Sequence, residues 1–155
     1  MGIWGGQVMD GMHRIVVALS VVSLLVPLQS YAVCSVSTVA VNFGSYNVYT
    51  PGNALSIGQI TVTCNPVTTS YTIALNGGSY GNIAQRKQSA GGNDTLLYNL
   101  YTDPARSILW GDGSTNGVTV TSSSQSPINV YGSIPGQQDV SVGAYSDNVS
   151  VNVTF

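Results

Sequence analysis

The sequence predicts an all-β fold, a β-sandwich. Three observations carry that expectation. Short apolar segments alternate with period two, as strands with one buried face do. Clusters of Gly, Pro, Asn, Asp and Ser separate them at short intervals. No stretch of useful length beyond the first 30 or so residues shows the helical 3.6-residue period. Together they give about seven or eight short strands, the number and spacing of a sandwich.

The chain has 155 residues, and the first 32 are expected to be removed. Residues 15–28 form an apolar run after Arg14, and Ser30-Tyr31-Ala32 places small residues where a signal peptidase reads them. That is a secretory signal peptide, too short and poorly flanked for a membrane span. The alternative is a buried N-terminal helix. Residues 1–11 contain no Lys or Arg, so Met12-His-Arg makes a better start, and Met12 is a candidate initiation site. Residues 33–155 then form one domain, large enough for a single core.

In order, residues 39–43 alternate, and so do residues 58–64, with Ile60, Val62 and Cys64 on one face. Residues 71–75 alternate again. Residues 96–101 are apolar on both faces, as in a central strand. Residues 118–120, 128–134 and 140–144 follow. The last expected strand, residues 149–155, puts Val149, Val151, Val153 and Phe155 on one face and Ser150, Asn152 and Thr154 on the other. A strand ending on a large apolar residue must dock against something.

Composition removes several functions. Residues 33–155 contain no His and no Glu; Arg86, Lys87 and Arg106 face Asp94, Asp103, Asp112, Asp139 and Asp147. No basic stripe suits nucleic acid, and no long apolar segment remains to span a membrane after cleavage. Cys34 and Cys64 most simply form one disulfide in an exported chain, worth on the order of 3 kcal/mol by chain entropy; two free buried thiols are the alternative. It would tie the first strand to the second.

Local motifs for chemistry are incomplete. Gly77-Gly-Ser-Tyr-Gly81 has the spacing of a nucleophile elbow, but no His base follows. Lys87 lacks a serine three residues before it, because Ala84 stands there. Asp112-Gly-Ser-Thr-Asn-Gly117 copies half a calcium loop, yet Ser123 occupies the place of the bidentate Glu. No aspartates are marked as a glycosidase pair. The sequons at Asn93, Asn148 and Asn152 are common in chains of this composition. No catalytic residue, cofactor or metal ligand is therefore expected, and the chain is not read as an enzyme. An outer-membrane barrel would also end on an aromatic, but its strands are longer.

The motifs in series carry a resemblance. Val41-Asn-Phe-Gly-Ser-Tyr46 follows the first cysteine and Ile60-Thr-Val-Thr-Cys64 contains the second. Tyr71-Thr-Ile-Ala-Leu-Asn-Gly-Gly78, Leu97-Tyr-Asn-Leu-Tyr-Thr-Asp103, Trp110-Gly-Asp-Gly113, Val130-Tyr-Gly-Ser-Ile-Pro135 and Gly143-Ala-Tyr-Ser-Asp-Asn-Val149 come next, before the final Val-Thr-Phe155. Over essentially all of residues 33–155 this resembles the spore coat protein U domain family, which includes subunits of archaic chaperone–usher pili.

The resemblance implies an incomplete immunoglobulin-like β-sandwich that lacks its last strand and is completed by donor-strand complementation. The implied partners are a periplasmic chaperone, an outer-membrane usher and a neighbouring pilus subunit that donates a strand. Val149, Val151, Val153 and Phe155 would form the strand-acceptor edge. The implied route is secretion through the periplasm to the cell surface, and the implied role is adhesion and biofilm formation. Only Val33 would precede Cys34 after cleavage, so the subunit is expected to accept a strand without donating one, at a fibre tip or singly. A soluble secreted carbohydrate-binding module is the alternative, with Tyr46, Tyr49, Tyr80 and Trp110 as stacking platforms.

Overall fold

The computed structural model describes residues 32–67, 70–114 and 116–155. The expected signal peptide and the candidate start at Met12 lie outside the described residues, except for Ala32. The strands, in chain order, are β1 (Val33–Val39), β2 (Ala54–Asn65), β3 (Tyr71–Leu75), β4 (Arg86–Ser89), β5 (Thr95–Tyr101), β6 (Val120–Ser122), β7 (Ile128–Ile134) and β8 (Val151–Thr154); a 3-10 turn at Gly78–Tyr80 separates β3 from β4. They form a five-stranded sheet, β1-β2-β7-β5-β4, and a three-stranded sheet, β6-β3-β8. All strand pairs are antiparallel. The all-β, two-sheet architecture is that of an immunoglobulin-like sandwich.

Periodicity explains the central strands. In β2, Ile60, Val62 and Cys64 are buried while Leu55 and Ile57 face solvent. In β3, Tyr71, Ile73 and Leu75 point inward and are buried. These side chains meet Leu96, Tyr98, Leu100, Val130 and Ile134 from the larger sheet. Trp110 fills the middle of the core with no exposed surface. Its indole N–H donates to the Ile73 carbonyl, 3.2 Å away, and its backbone N–H to Leu100 O. A buried indole donor is thus satisfied without breaking a ladder. Among the described residues, no helix is long and apolar enough to cross a membrane.

Several elements differ from the sequence expectation. The first strand is Val33–Val39, not residues 39–43, so Cys34 lies inside it and not ahead of it. Residues 40–43 run on without strand pairing. β4 (Arg86-Lys-Gln-Ser89) was not expected, because it has no apolar residue to reveal a face. β6 begins at Val120, while Val118 makes only an isolated parallel bridge to Trp110. Residues 140–144 form no strand. They alternate correctly, but a strand exists only where a neighbour accepts its backbone bonds. The last strand is shorter than residues 149–155 and ends at Thr154.

The disulfide between Cys34 and Cys64 joins directly opposed residues of β1 and β2. The glycine loop with nucleophile-elbow spacing is the 3-10 turn, closed by Gly81 in the left-handed region at φ 68°. Asp112 accepts a hydrogen bond from the Ser114 N–H at 2.9 Å, a polar turn. No group of three metal-ligating side chains occurs among the described residues.

Candidate functional site

The two edge strands define the site. In an antiparallel pair, directly opposed residues share a face. Val36 of β1 opposes Val62, which is fully buried, so Val36 also points inward; yet it is 45% exposed. Val151 and Val153 of β8 oppose Leu75 and Ile73, both buried, and are themselves only half-buried. The inward faces of both edges therefore reach solvent. Between β1 and β8 the sandwich is open.

A long groove occupies the gap. At its narrow end, about 270 Å³, Ile60, Leu100 and Val130 form the floor, and Val41, Val149 and Val151 the walls. Its wide end, about 1000 Å³, has Leu96 and Ile134 on the floor between residues 40–49 and 139–147. Ala40, Val41, Phe43, Gln88 and Asp147 line both ends, so the two adjoin there. Val142 stands fully exposed in its wide end. β8 is the last strand of its sheet and β1 the last of the other. Among the described residues neither has a partner on its outer side, which is costly when the flanking side chains are apolar.

Each wall is fastened from behind. Gly132 lies so close to the first wall that a Cβ there would meet Val41 Cγ1 at 2.5 Å and Phe43 Cζ at 2.6 Å. Phe43 packs edge-on against Tyr98, ring centroids 6.2 Å apart. The Tyr46 hydroxyl donates to Pro135 O at 2.9 Å and accepts from Gln138 N–H at 2.8 Å. The second wall begins at Gln138, whose side-chain amide accepts from Leu97 N–H (2.7 Å) and donates to Leu97 O (2.9 Å). That amide serves β5 in place of a backbone neighbour. Asp94 then accepts from both the N–H and the hydroxyl of Ser141. Ser146 exchanges backbone bonds with Ser89 of β4 at 3.0 and 2.9 Å.

The spore coat protein U domain family matches residues 20–152. The chain belongs to that family. It is 33% identical over 139 residues to Protein U of Myxococcus xanthus, covering 79% of this chain and 77% of that protein. It is also similar to a chain of the CsuC-CsuE chaperone–tip adhesion subunit pre-assembly complex from the archaic chaperone-usher Csu pili of Acinetobacter baumannii. The TM-score is 0.54 at 23% identity, covering 81% of this chain and 40% of that one. Similarity at this identity speaks for the fold.

In this spore coat protein U domain, Val149 and Val151 line the groove. Val153 points inward further along β8 and packs against the core. Phe155 is 62% exposed, with its ring 6.4 Å from that of Tyr71. Sequence reasoning missed Val41, Phe43 and Asp147 as wall residues. Val41 and Phe43 read as core positions of a strand that does not form.

Asp147 marks the waist of the groove. One carboxylate oxygen accepts from the Tyr98 hydroxyl at 2.7 Å; the other accepts from Ser79 N–H and Asn148 N–H, each at 2.8 Å. Burial alone raises its pKa, but these hydrogen bonds outweigh that and hold it below the usual carboxylate range. Burial, and then the Asp147 carboxylate, push the Tyr98 hydroxyl upward. Arg86 lies fully buried nearby, with its guanidinium on Asn76 O, Asn99 Oδ1 and Trp110 O. Desolvation lowers its pKa, opposed by Tyr98, Asp147 and Asp112.

Proposed function

We propose that this chain is a secreted structural and adhesive subunit of a surface pilus or coat, completed by a β-strand from another chain. The single observation that carries the reading is the open groove that Thr38 and Val39 of β1 and Val151 of β8 line, with inward-facing Val36 and Val153 of the same strands also partly exposed. A strand laid there would pair with the free edge of β8 and cover those side chains. Main-chain bonds would supply affinity and alternate side chains specificity. Val149, Val151, Val153 and Phe155 are the proposed acceptor edge.

Family membership and the fold shared with a chaperone-bound pilus subunit support a set of partners. A periplasmic chaperone supplies the strand during export, an outer-membrane usher receives the complex, and a neighbouring subunit replaces the chaperone strand. Adhesion and biofilm formation are the proposed output, and no step requires catalysis. Cleavage after Ala32 would leave Val33 alone ahead of Cys34. β1 starts at Val33 and is paired with β2 along its whole length, which supports a subunit that accepts a strand and donates none.

The alternative as a carbohydrate-binding module loses two platforms. Trp110 is fully buried, and Tyr46 is half-buried with its hydroxyl tied to Pro135 and Gln138.

The test is acceptance of a strand by the purified mature protein. An extended peptide from a neighbouring subunit's arm is expected to raise the melting temperature, and Val151→Asp to remove most of the rise. An unchanged melting temperature with every such arm would refute the reading. Mass spectrometry of the mature N-terminus tests the acceptor-only part: a start well upstream of Ala32 would overturn it.

A further inference from the structure

We propose that the groove selects its strand by charge as well as by shape, and that Asp147 is the selecting residue: the strand that fills it carries a lysine or arginine at the step facing the waist. This rests on the strand-acceptor reading above and names a chemical property of the partner.

The groove is apolar along its floor but not electrically neutral. Asp147 lines both its ends and Asp139 lines the wide end; among the described residues no Lys or Arg lines either. Asp94 stands behind the same wall, holding Ser141. Among the described residues, Arg86 interacts electrostatically with Asp147, but it is fully buried and spends its donors on Asn76, Asn99 and Trp110, while Lys87 lies over the Tyr80 ring, 5.8 Å from its centroid. The hydrogen bonds to Asp147 come from neutral donors, the Tyr98 hydroxyl, the N–H and hydroxyl of Ser79 and the Asn148 N–H, so none of them offsets its charge. A strand cation would meet this carboxylate through its uncompensated charge and would replace none of these donors.

The surroundings suit a long basic side chain. Gln88 and Asn148 line the groove beside Asp147, and Val41 and Val149 provide apolar wall. A lysine or arginine stem would cover those valines while its head reaches the carboxylate. A strand inserting next to β8 removes water from this waist, which strengthens a matched charge and penalises a like one. An acidic residue at that step would face Asp147 with no compensating cation on the groove wall.

The experiment uses the mature protein and synthetic strand peptides of alternating valine and threonine. One groove-facing position is set to Lys, Leu or Glu and walked along the strand, and binding is measured by calorimetry. At one register the Lys strand is expected to bind about tenfold more tightly than the Leu strand, with the Glu strand weakest. The gap should close near 1 M salt, where the Debye length is about 3 Å, and in Asp147→Asn but not in Asp139→Asn. Equal binding of Lys and Leu strands at every register overturns charge selection and leaves strand acceptance standing. Failure of every strand to bind overturns both. If Asp147→Asn does not fold, the salt titration of the unaltered protein decides, and a Lys–Leu gap indifferent to salt counts against Asp147.

Discussion

At the scale of single residues, the groove wall is held by carboxylates. Asp94 and Asp147 grip residues 141–148 from opposite ends, and hydrogen bonds lower the pKa of each: for Asp94 the hydroxyl and N–H of Ser141, for Asp147 the Tyr98, Ser79 and Asn148 donors set against burial. A group whose folded pKa is depressed adds stability above its unfolded pKa, about 3.9 for Asp, and loses it as pH falls through the folded value. The urea midpoint, followed by the fluorescence of buried Trp110, is therefore expected to stay level between about pH 7 and pH 5 and to drop steadily below about pH 4. Asp147→Asn should lower the midpoint at neutral pH and make the acid slope shallower. Arg86 shows the opposite arrangement, a buried cation satisfied by neutral oxygens alone.

At the scale of elements, the first wall depends on what β7 lacks. Gly132 pairs with Leu100 and Ser56 and leaves room for Val41 and Phe43. Gly132→Ala is expected to cost about 1–3 kcal/mol, as other overpacking changes do, and to push residues 40–43 from the sheet. Urea unfolding would give the cost, and hydrogen exchange at residues 40–46 the displacement.

The same elements show which parts of the fold were legible. β2, β3 and β7 show alternating faces, and residues 96–101 their double burial. β1 does not, because Val33, Val36 and Val39 stand three apart and fall on alternate faces; pairing with β2 and the disulfide hold it. β4 is wholly polar, so its pairing with β5 is invisible to any apolar pattern. Residues 140–144 alternate but have no ladder to join. For the site, Val149 and Val151 could be read from β8 alone. Val41, Phe43 and Asp147 could not, because nothing local marks a residue as bordering a gap.

At the scale of the whole molecule, the residues after Gln138 connect both sheets. Ser146 bonds to β4 of the larger sheet, and Val151–Thr154 pairs with β3 of the smaller one. A strand bound along this segment should steady both sheets together. Hydrogen exchange with and without an arm peptide is expected to show slowing at Ser89 as well as at residues 151–154. Slowing confined to β8 would mean that the two sheets respond separately.

The fastening of residues 139–151 to the far side of the sandwich has a consequence for biosynthesis. The floor of the groove is laid down by β2, β5 and β7, but one wall arrives only when the chain has been made through Val151. A polypeptide cut short before that point has the floor and the first wall and nothing to close them into a slot. A strand that needs both sides of the slot would then find no site on such a truncated product.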